Sequence, residues 1–546
     1  MVYRFSRARR STSARGSILT GAVTDSSKAK PTGEYVSTAP ETSALSQGAS
    51  KGDKASKKAA KKAHPWRDNI EAVAISIVTI VLFKYFVLEA YKIPTGSMQP
   101  TLMGNAETGI YDRVIVDKFS YHYRDPERFE IAVFKYPLDS SKNFIKRIVG
   151  MPGELMYLEG GDIWVQRPGE EAHPLRRPRA IQNAQLRRIE TNGEWESRLP
   201  KGWKLSPDED SDTIVARGGG SLSYPAEHQS ISDGYLDGYP RGVKSKISER
   251  LKGSRNNDVS DLRVAVDLTA ESGVKACTLV LHEGDRRFRF TLAGPGAATA
   301  PGAAITATGP GIDGTLSSPG ASLQLSSAKA VEIEVQNLND LLEFRVDGDL
   351  IASLEIPPAG GRPSAHYEME SRVTVEVEAD DQSSASFDEL RIWRDIFYTQ
   401  TAGRNPVTRW QIPEDSYLVL GDNSQDSSDG RDWSVSQFRV RGEGDETPQI
   451  LRGNSREGRE IRDPKTGRTV SDPASNPRYA PQRAGAKEIF LRDEFGELYV
   501  LDAAKTERLP DEHLSFVPRS LIRGRAVVVV WPFAFQYDVY RLKWVR

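Results

Sequence analysis

Residues 70–90 read I-E-A-V-A-I-S-I-V-T-I-V-L-F-K-Y-F-V-L-E-A, and this run constrains the fold of the chain more than any other. A helix of about 20 residues, rising about 1.5 Å each, matches a hydrocarbon core of about 30 Å. The run therefore predicts one transmembrane helix over 69–90. Glu71 and Glu89 would sit near the two headgroup layers, and Lys84 would extend its stem towards the outer interface. The competing reading is a buried soluble helix, because the apolar stretch is uninterrupted only from Ala72 to Phe83. The basic cluster Lys51 to Arg67 directly before it favours the anchor, and puts the N-terminus in the cytoplasm and residues 91–546 outside. A cleaved secretory leader is disfavoured, since the run lies far from the N-terminus.

At 546 residues the chain calls for two or more folded units. Its formal net charge of -1 gives no support to a nucleic-acid partner. The charge is unevenly placed, with 14 Lys/Arg against 5 Asp/Glu in residues 1–68. That segment is rich in Ser, Ala, Lys and Gly, and reads as a disordered basic cytoplasmic tail. Cys277 is the only cysteine, so no intrachain disulfide is possible. The seven histidines show no metal-ligand spacing, and no metal or organic cofactor is expected. His122, the histidine nearest the motifs below, reads as a structural residue.

Directly after the apolar run comes Pro94-Thr95-Gly96-Ser97-Met98-Gln99-Pro100-Thr101-Leu102, a turn of small residues that displays one serine beside the membrane. A serine hydroxyl is a weak nucleophile and needs a base within hydrogen-bond reach. No histidine occurs in these motifs. Lys146 is a candidate base, because Phe144, Ile145, Ile148 and Val149 surround it with apolar side chains and burial favours a neutral amine.

These two segments, with Phe144 to Glu154 read as a whole, resemble the type I signal peptidases, membrane-bound serine proteases with a Ser–Lys dyad. Gly421 to Arg431, G-D-N-S-Q-D-S-S-D-G-R, supplies a third match in the family's order. The resemblance implies Ser97 as nucleophile and Lys146 as general base. It implies that the Thr95 hydroxyl helps stabilise the oxyanion, that Ser427 holds the lysine by a hydrogen bond, and that Asp429 and Arg431 brace the loop. Ile93, Pro94, Met98, Leu102, Phe144 and Ile145 would line shallow pockets for small residues before the cut. The chain departs from the family at Arg128-Phe129-Glu130, where a Gly-Asp pair is usual, and at Ser424, Gln425 and Gly430. The substitutions at 424 and 425 put the loop's salt bridging in question. Arg147, beside the base, reads as a surface residue.

The expected fold is mainly β: the single N-terminal helix, a signal-peptidase-like antiparallel catalytic core, and an inserted antiparallel sandwich vaguely similar to jelly rolls. The core is expected in three parts, 91–160, 401–433 and 513–546. Strand-like runs include Val114–Lys118, Glu130–Phe134 and Ala526–Trp531. Residues 161–202 read as an irregular linker or hairpin extension, and 434–512 as a polar insertion. Residues 203–400 show alternation at Leu262–Leu268, Val331–Val335, Leu342–Val346 and Val373–Val377, with a turn at Asp347-Gly348. This sandwich is expected to be separable from the chemistry, and Ala293–Ala321 within it to be an exposed loop.

Taken together, these features predict a single-pass endopeptidase of the bacterial plasma membrane that removes signal peptides from exported preproteins. Its partners would be those leaders, the bilayer and the export machinery. A related Ser–Lys protease that cleaves itself or a dedicated partner is one alternative. A membrane-anchored glycan-binding protein with a vestigial protease core is the other.

Overall fold

The computed structural model describes residues 3–5, 65–105, 109–191, 199–206, 213–226, 229–244, 257–299, 304–318, 323–357, 371–399, 408–441, 448–453, 461–462, 469–470, 488–493, 495, 497–534 and 539–546. The expected basic tail therefore lies almost wholly outside the described residues. Among the described residues every strand ladder is antiparallel, and the fold is mainly β.

Helix α1 spans Pro65–Phe86, with a proline at its first position where the missing N–H is no loss. Its apolar side chains Ile70, Ile75 and Ile80 are 60–65% exposed. Among the described residues no helix is long and apolar enough to cross a membrane, and the side chains of Leu82, Phe83, Tyr85 and Phe86 are not among those described. The helix ends four residues earlier than expected. Leu88–Lys92 forms strand β1 instead, paired residue for residue with β2, Arg113–Asp117, from Leu88↔Asp117 to Lys92↔Arg113. Glu89 accordingly accepts hydrogen bonds from Tyr91 Oη (2.7 Å) and Lys118 Nζ (3.4 Å).

The main sheet continues with β3 (Ile131–Tyr136), β4 (Asp139–Gly150), β5 (Ser416–Leu420), β6 (Phe516–Pro518), β7 (Ile522–Trp531) and β8 (Lys543–Trp544). Its spatial order is β1-β2-β7-β3-β4-β5-β6, with β8 paired to the far part of β7. Three distant pieces of chain thus share one sheet. The expected strands at 114–118, 130–134 and 526–531 all lie within it. Period-two patterning places Ile131, Val133 and Ile145 against Met98 and Leu102, while Ala132, Phe134, Phe144 and Ile148 pack with Trp433 on the other side.

Of the two readings of residues 161–202, the hairpin extension describes them better than an irregular linker. Leu155–Glu159, Asp162–Gln166, His173–Pro174 and Arg409–Gln411 make a four-stranded sheet, followed by a short helix at Arg179–Gln185. Arg187–Ile189 then joins the sandwich by pairing with Ser384–Arg394.

The inserted region packs an eight-stranded sheet onto a six-stranded one. Val264, Val266, Phe344 and Phe387 from the first meet Leu279, Leu281, Phe288 and Phe290 from the second in one core. Phe290 and Phe344 touch edge to face, with ring centroids 5.9 Å apart. The turn at Asp347-Gly348 has φ of 49° and 84° and joins strands in the Val346↔Asp349 register, the geometry a two-residue hairpin requires. Ala293–Ala321 is not simply a loop. Ile305–Thr308 and Leu316–Ser318 extend the six-stranded sheet, and Ile305 and Ala307 are fully buried. Nor is 434–512 only polar. Ser434–Val440, Gln449–Gly453 and Thr506–His513 form a sheet, and Phe438, Val440 and Leu451 cluster with Leu491 and Leu501.

Candidate active site

Ser97 sits in a turn between Ile93 and Leu102, closed by hydrogen bonds from Gln99 N to Gly96 O (2.9 Å) and from Leu102 N to Met98 O (2.8 Å). Met98 and Leu102 are fully buried and fix the turn against β2, β3 and β7. Lys146 projects from β4, which pairs with β3 at Ala132↔Lys146. Its Nζ donates a hydrogen bond to Ser97 Oγ across 49 residues of sequence. The lysine is 3% exposed. Burial pushes its pKa down to about 8. Asp429 and Asp422 oppose the shift, and Arg431 reinforces it.

The Gly421–Arg431 loop cradles the turn from below. Asn423 N donates to Ser97 O (3.1 Å) and Asn423 Nδ2 to Gly96 O (3.0 Å). A Cβ on Gly421 would lie 2.5 Å from Ser97 O and 2.1 Å from Ser427 Oγ, so a side chain has no room there. Asp429 and Arg431 form a buried bidentate pair, Nε to Oδ1 and Nη2 to Oδ2 both at 2.8 Å. Burial raises the Asp429 pKa, but Arg431 more than offsets this and the net shift is downward.

The substitutions at 424 and 425 do not loosen the loop. Ser424 Oγ accepts from Arg431 Nη1 (3.0 Å) and from Thr399 N (2.9 Å), and Gln425 Nε2 donates to Asp233 Oδ2 (2.6 Å). Arg431 Nη1 also donates to Thr399 O (2.7 Å).

Several expected roles take a different form. Ser427 Oγ is buried and makes no hydrogen bond among the described residues, and the expected bond to Lys146 is not formed. The hydroxyl is turned instead against the Gly421 backbone. Thr95 and Pro94 are exposed on the rim of the turn. The six expected pocket residues do not form one group. Ile93, Met98, Leu102 and Ile145 share the cluster beside β2 and β3, whereas Phe144 stacks on Tyr136 (centroids 4.1 Å apart) on the opposite side of β4.

Arg147 is no surface residue. It is fully buried and clamps Asp422, with Nε to Oδ1 at 2.8 Å and Nη2 to Oδ2 at 2.6 Å. Asp422, Asn423 and Arg187 were not singled out by sequence. Arg187 Nη2 donates to Asp422 O (3.0 Å). At the far end of the turn, Arg541 Nη2 donates to Asp112 Oδ2 (2.7 Å) and to the carbonyls of Pro100 and Thr101 (3.1 Å each). Asp422 and Asn423 fall inside the Gly421–Arg431 motif, whereas for Arg187, Arg541 and Asp112 the only sequence signal is that buried arginines need acidic partners, and that signal names no pair.

This arrangement provides a serine hydroxyl in contact with a desolvated amine, on a turn held from two sides by buried charge pairs. Residues 66–216 match the family model described as signal peptidase, peptidase S26. The matched span includes Ser97 and Lys146 and ends before Gly421. Among curated relatives, signal peptidase I of Leptolyngbya laminosa is 38% identical over 116 residues, 20% of this chain and 54% of that one. A probable signal peptidase I-2 of Synechocystis sp. is 38% identical over 115 residues, 20% of this chain and 50% of that one. The chain spans about half the length of these relatives. A solved carbohydrate-binding module from Bacillus subtilis is 9% identical, covering 34% of this chain and 88% of its own, with a TM-score of 0.21.

Proposed function

We propose that this chain is a membrane-bound serine endopeptidase of the signal peptidase I type, cutting signal peptides from exported preproteins with Ser97 as nucleophile and Lys146 as general base. The observation that carries the reading is the buried Lys146 amine in hydrogen-bond contact with Ser97 Oγ, its pKa lowered by burial to about 8. The similarity of residues 66–216 to signal peptidases supports the same assignment.

In its neutral form Lys146 accepts the Ser97 proton as Oγ bonds to the scissile carbonyl carbon. The carbonyl electron pair moves onto oxygen, where the Ser97 amide and the Thr95 hydroxyl are the proposed donors. As the intermediate collapses, the carbon–nitrogen bond breaks and the lysine ammonium returns its proton to the leaving amine. Neutral again, Lys146 deprotonates a water that attacks the acyl-enzyme, and Ser97 regains its proton. Asp429 and Arg431 brace the loop beneath the turn. Pro94 on the rim and Ile145 beside Lys146 form the proposed walls on which small side chains before the cut are read, with Ile93, Met98 and Leu102 packed behind them and Phe144 on the opposite side of β4. An extended leader segment would bind by strand addition beside residues 143–146 of β4, which β3 pairs on one edge and β5 does not reach on the other.

We assign α1 to the bilayer, with the N-terminus cytoplasmic and the β domains outside. The support is the apolar run from Ala72 to Phe83 and the exposure of Ile70, Ile75 and Ile80. The other proposed partners are preprotein leaders and the export machinery. The test is labelling by a serine-directed active-site probe together with preprotein cleavage in detergent. Both are expected in the wild type and absent in Ser97→Ala. Equal cleavage by Ser97→Ala overturns the assignment.

A further inference from the structure

The inserted region does not stand apart from the dyad. Its segment 231–244 is tied to the sandwich by Ile231 N to Ser371 O (2.9 Å) and by Arg394, which donates to Asp237 Oδ2 (2.6 Å) and Gly234 O (2.8 Å). From that base Tyr239 reaches the nucleophile turn. Its hydroxyl donates to Gln99 Oε1 at 2.6 Å, with Gln99 1% and Tyr239 5% exposed. Its ring packs in a cluster with Met103, Ile110 and Val243.

Gln99 lies two residues after Ser97. Its Oε1 is 3.1 Å from the position a Cβ would take on Gly96, so the amide is folded back beneath the residue that precedes the nucleophile. Gln99 Nε2 is buried and has no hydrogen-bond partner among the described residues, which leaves Tyr239 as the contact there that satisfies this side chain. A buried amide stripped of its last partner costs more than the bond contributes when made, so the amide would move to regain one. The Gly96–Ser97 backbone resting on it would move as well.

We infer that Tyr239 is a positioning residue, by which the inserted sandwich fixes the turn that aims Ser97 at Lys146. The inference rests on the Ser–Lys reading for its catalytic consequence, but the structural lock is testable without it. Hydrogen exchange on full-length protein in detergent, comparing wild type with Tyr239→Phe, reports on the lock directly. Faster exchange is expected at the amides of Gln99 and Leu102, with strand Leu262–Ala270 unchanged. Replacing both polar partners, Tyr239→Phe with Gln99→Met, should restore protection, because no buried polar group is then left unpaired. Unchanged exchange in Tyr239→Phe overturns the lock.

Peptide cleavage measures the consequence. Tyr239→Phe is expected to lower kcat roughly tenfold with KM little changed, and the double variant to recover most of the loss. Wild-type kcat in Tyr239→Phe, in an enzyme that Ser97→Ala inactivates, overturns the positioning role alone. Full cleavage by Ser97→Ala instead overturns the Ser–Lys reading, while the exchange result still decides the lock. A loss in the single variant that the double variant fails to recover identifies general destabilisation and also overturns the inference.

Discussion

Arg147 and Asp422, 275 residues apart in sequence, meet in a bidentate ion pair that neither solvent nor any exposed surface reaches. Burial alone would raise the Asp422 pKa. Arg147 reverses the effect and carries it down to about 2 from an ordinary 3.8. The pair joins β4, which carries Lys146, to the loop that cradles the Ser97 turn.

Removing one partner of such a pair strands a buried charge. Asp422→Asn is expected to destabilise the protein by about 3–5 kcal/mol, and Arg147→Met with Asp422→Leu to recover much of that. Because the folded pKa is depressed, the contribution is full above pH 3.8 and is lost as pH falls towards 2. Urea melts from pH 6 to 2 (a window of about four units around the carboxylate range) should show a steeper acid loss in wild type than in the double variant.

Lys146 predicts two opposite-looking pH effects from one cause. Its folded pKa of about 8, against an ordinary 10.5, sets the acidic limb of the cleavage rate near pH 8. In stability terms the unfolded chain holds the proton between pH 8 and 10.5 while the folded one does not, so stability rises across that window and the burial penalty is full below it. Lys146→Met should abolish cleavage and yet raise stability at pH 7, by about 3 kcal/mol at most. A limb near the free-lysine value would refute the desolvated base.

Gly421→Ala tests the cradle. The added Cβ meets Ser97 O at 2.5 Å, a backbone atom that cannot swing away. Overpacking of this kind costs about 1–3 kcal/mol, and displacing the Ser97 turn is expected to lower kcat by about 10²-fold. Ser427→Ala added to it removes the contact with Ser427 Oγ but leaves those with Ser97 O at 2.5 Å and Ser427 Cβ at 2.7 Å, so activity should not return.

Ser427→Ala by itself removes a buried hydroxyl with no hydrogen-bond partner. Its effect on stability is expected to stay within about 0.5 kcal/mol, and the acidic limb should remain near that of the wild type. A limb displaced by the substitution would place Ser427 on the working amine after all.

Replacing residues 203–400 with a Gly/Ser linker is expected to destroy cleavage of even a small peptide, contrary to what the separate strand rhythm suggests. The replacement removes Tyr239 from Gln99, Asp233 from Gln425 and Thr399 from Arg431. A folded truncation with wild-type kcat would show that the insertion is dispensable.

Much of this molecule was written locally. The alternating strands and the Asp347-Gly348 hairpin follow from residue patterns a few positions long, because side-chain period and turn chemistry act over that range. The candidate nucleophile and base are legible only through the resemblance of their motifs to a known family. What depends on long-range contact was not legible. Nothing near Arg147 announces Asp422, nothing near Gln99 announces Tyr239, and Leu88–Lys92 reads as more helix until β2 supplies the partner for its hydrogen bonds. Ala293–Ala321 looked like a loop for the same reason, since its two strands are defined by the neighbouring sheet edge rather than by their own composition. Sequence determined which groups could do chemistry. Tertiary structure decided how they are held, because a buried polar group must find its partner wherever the fold has brought one.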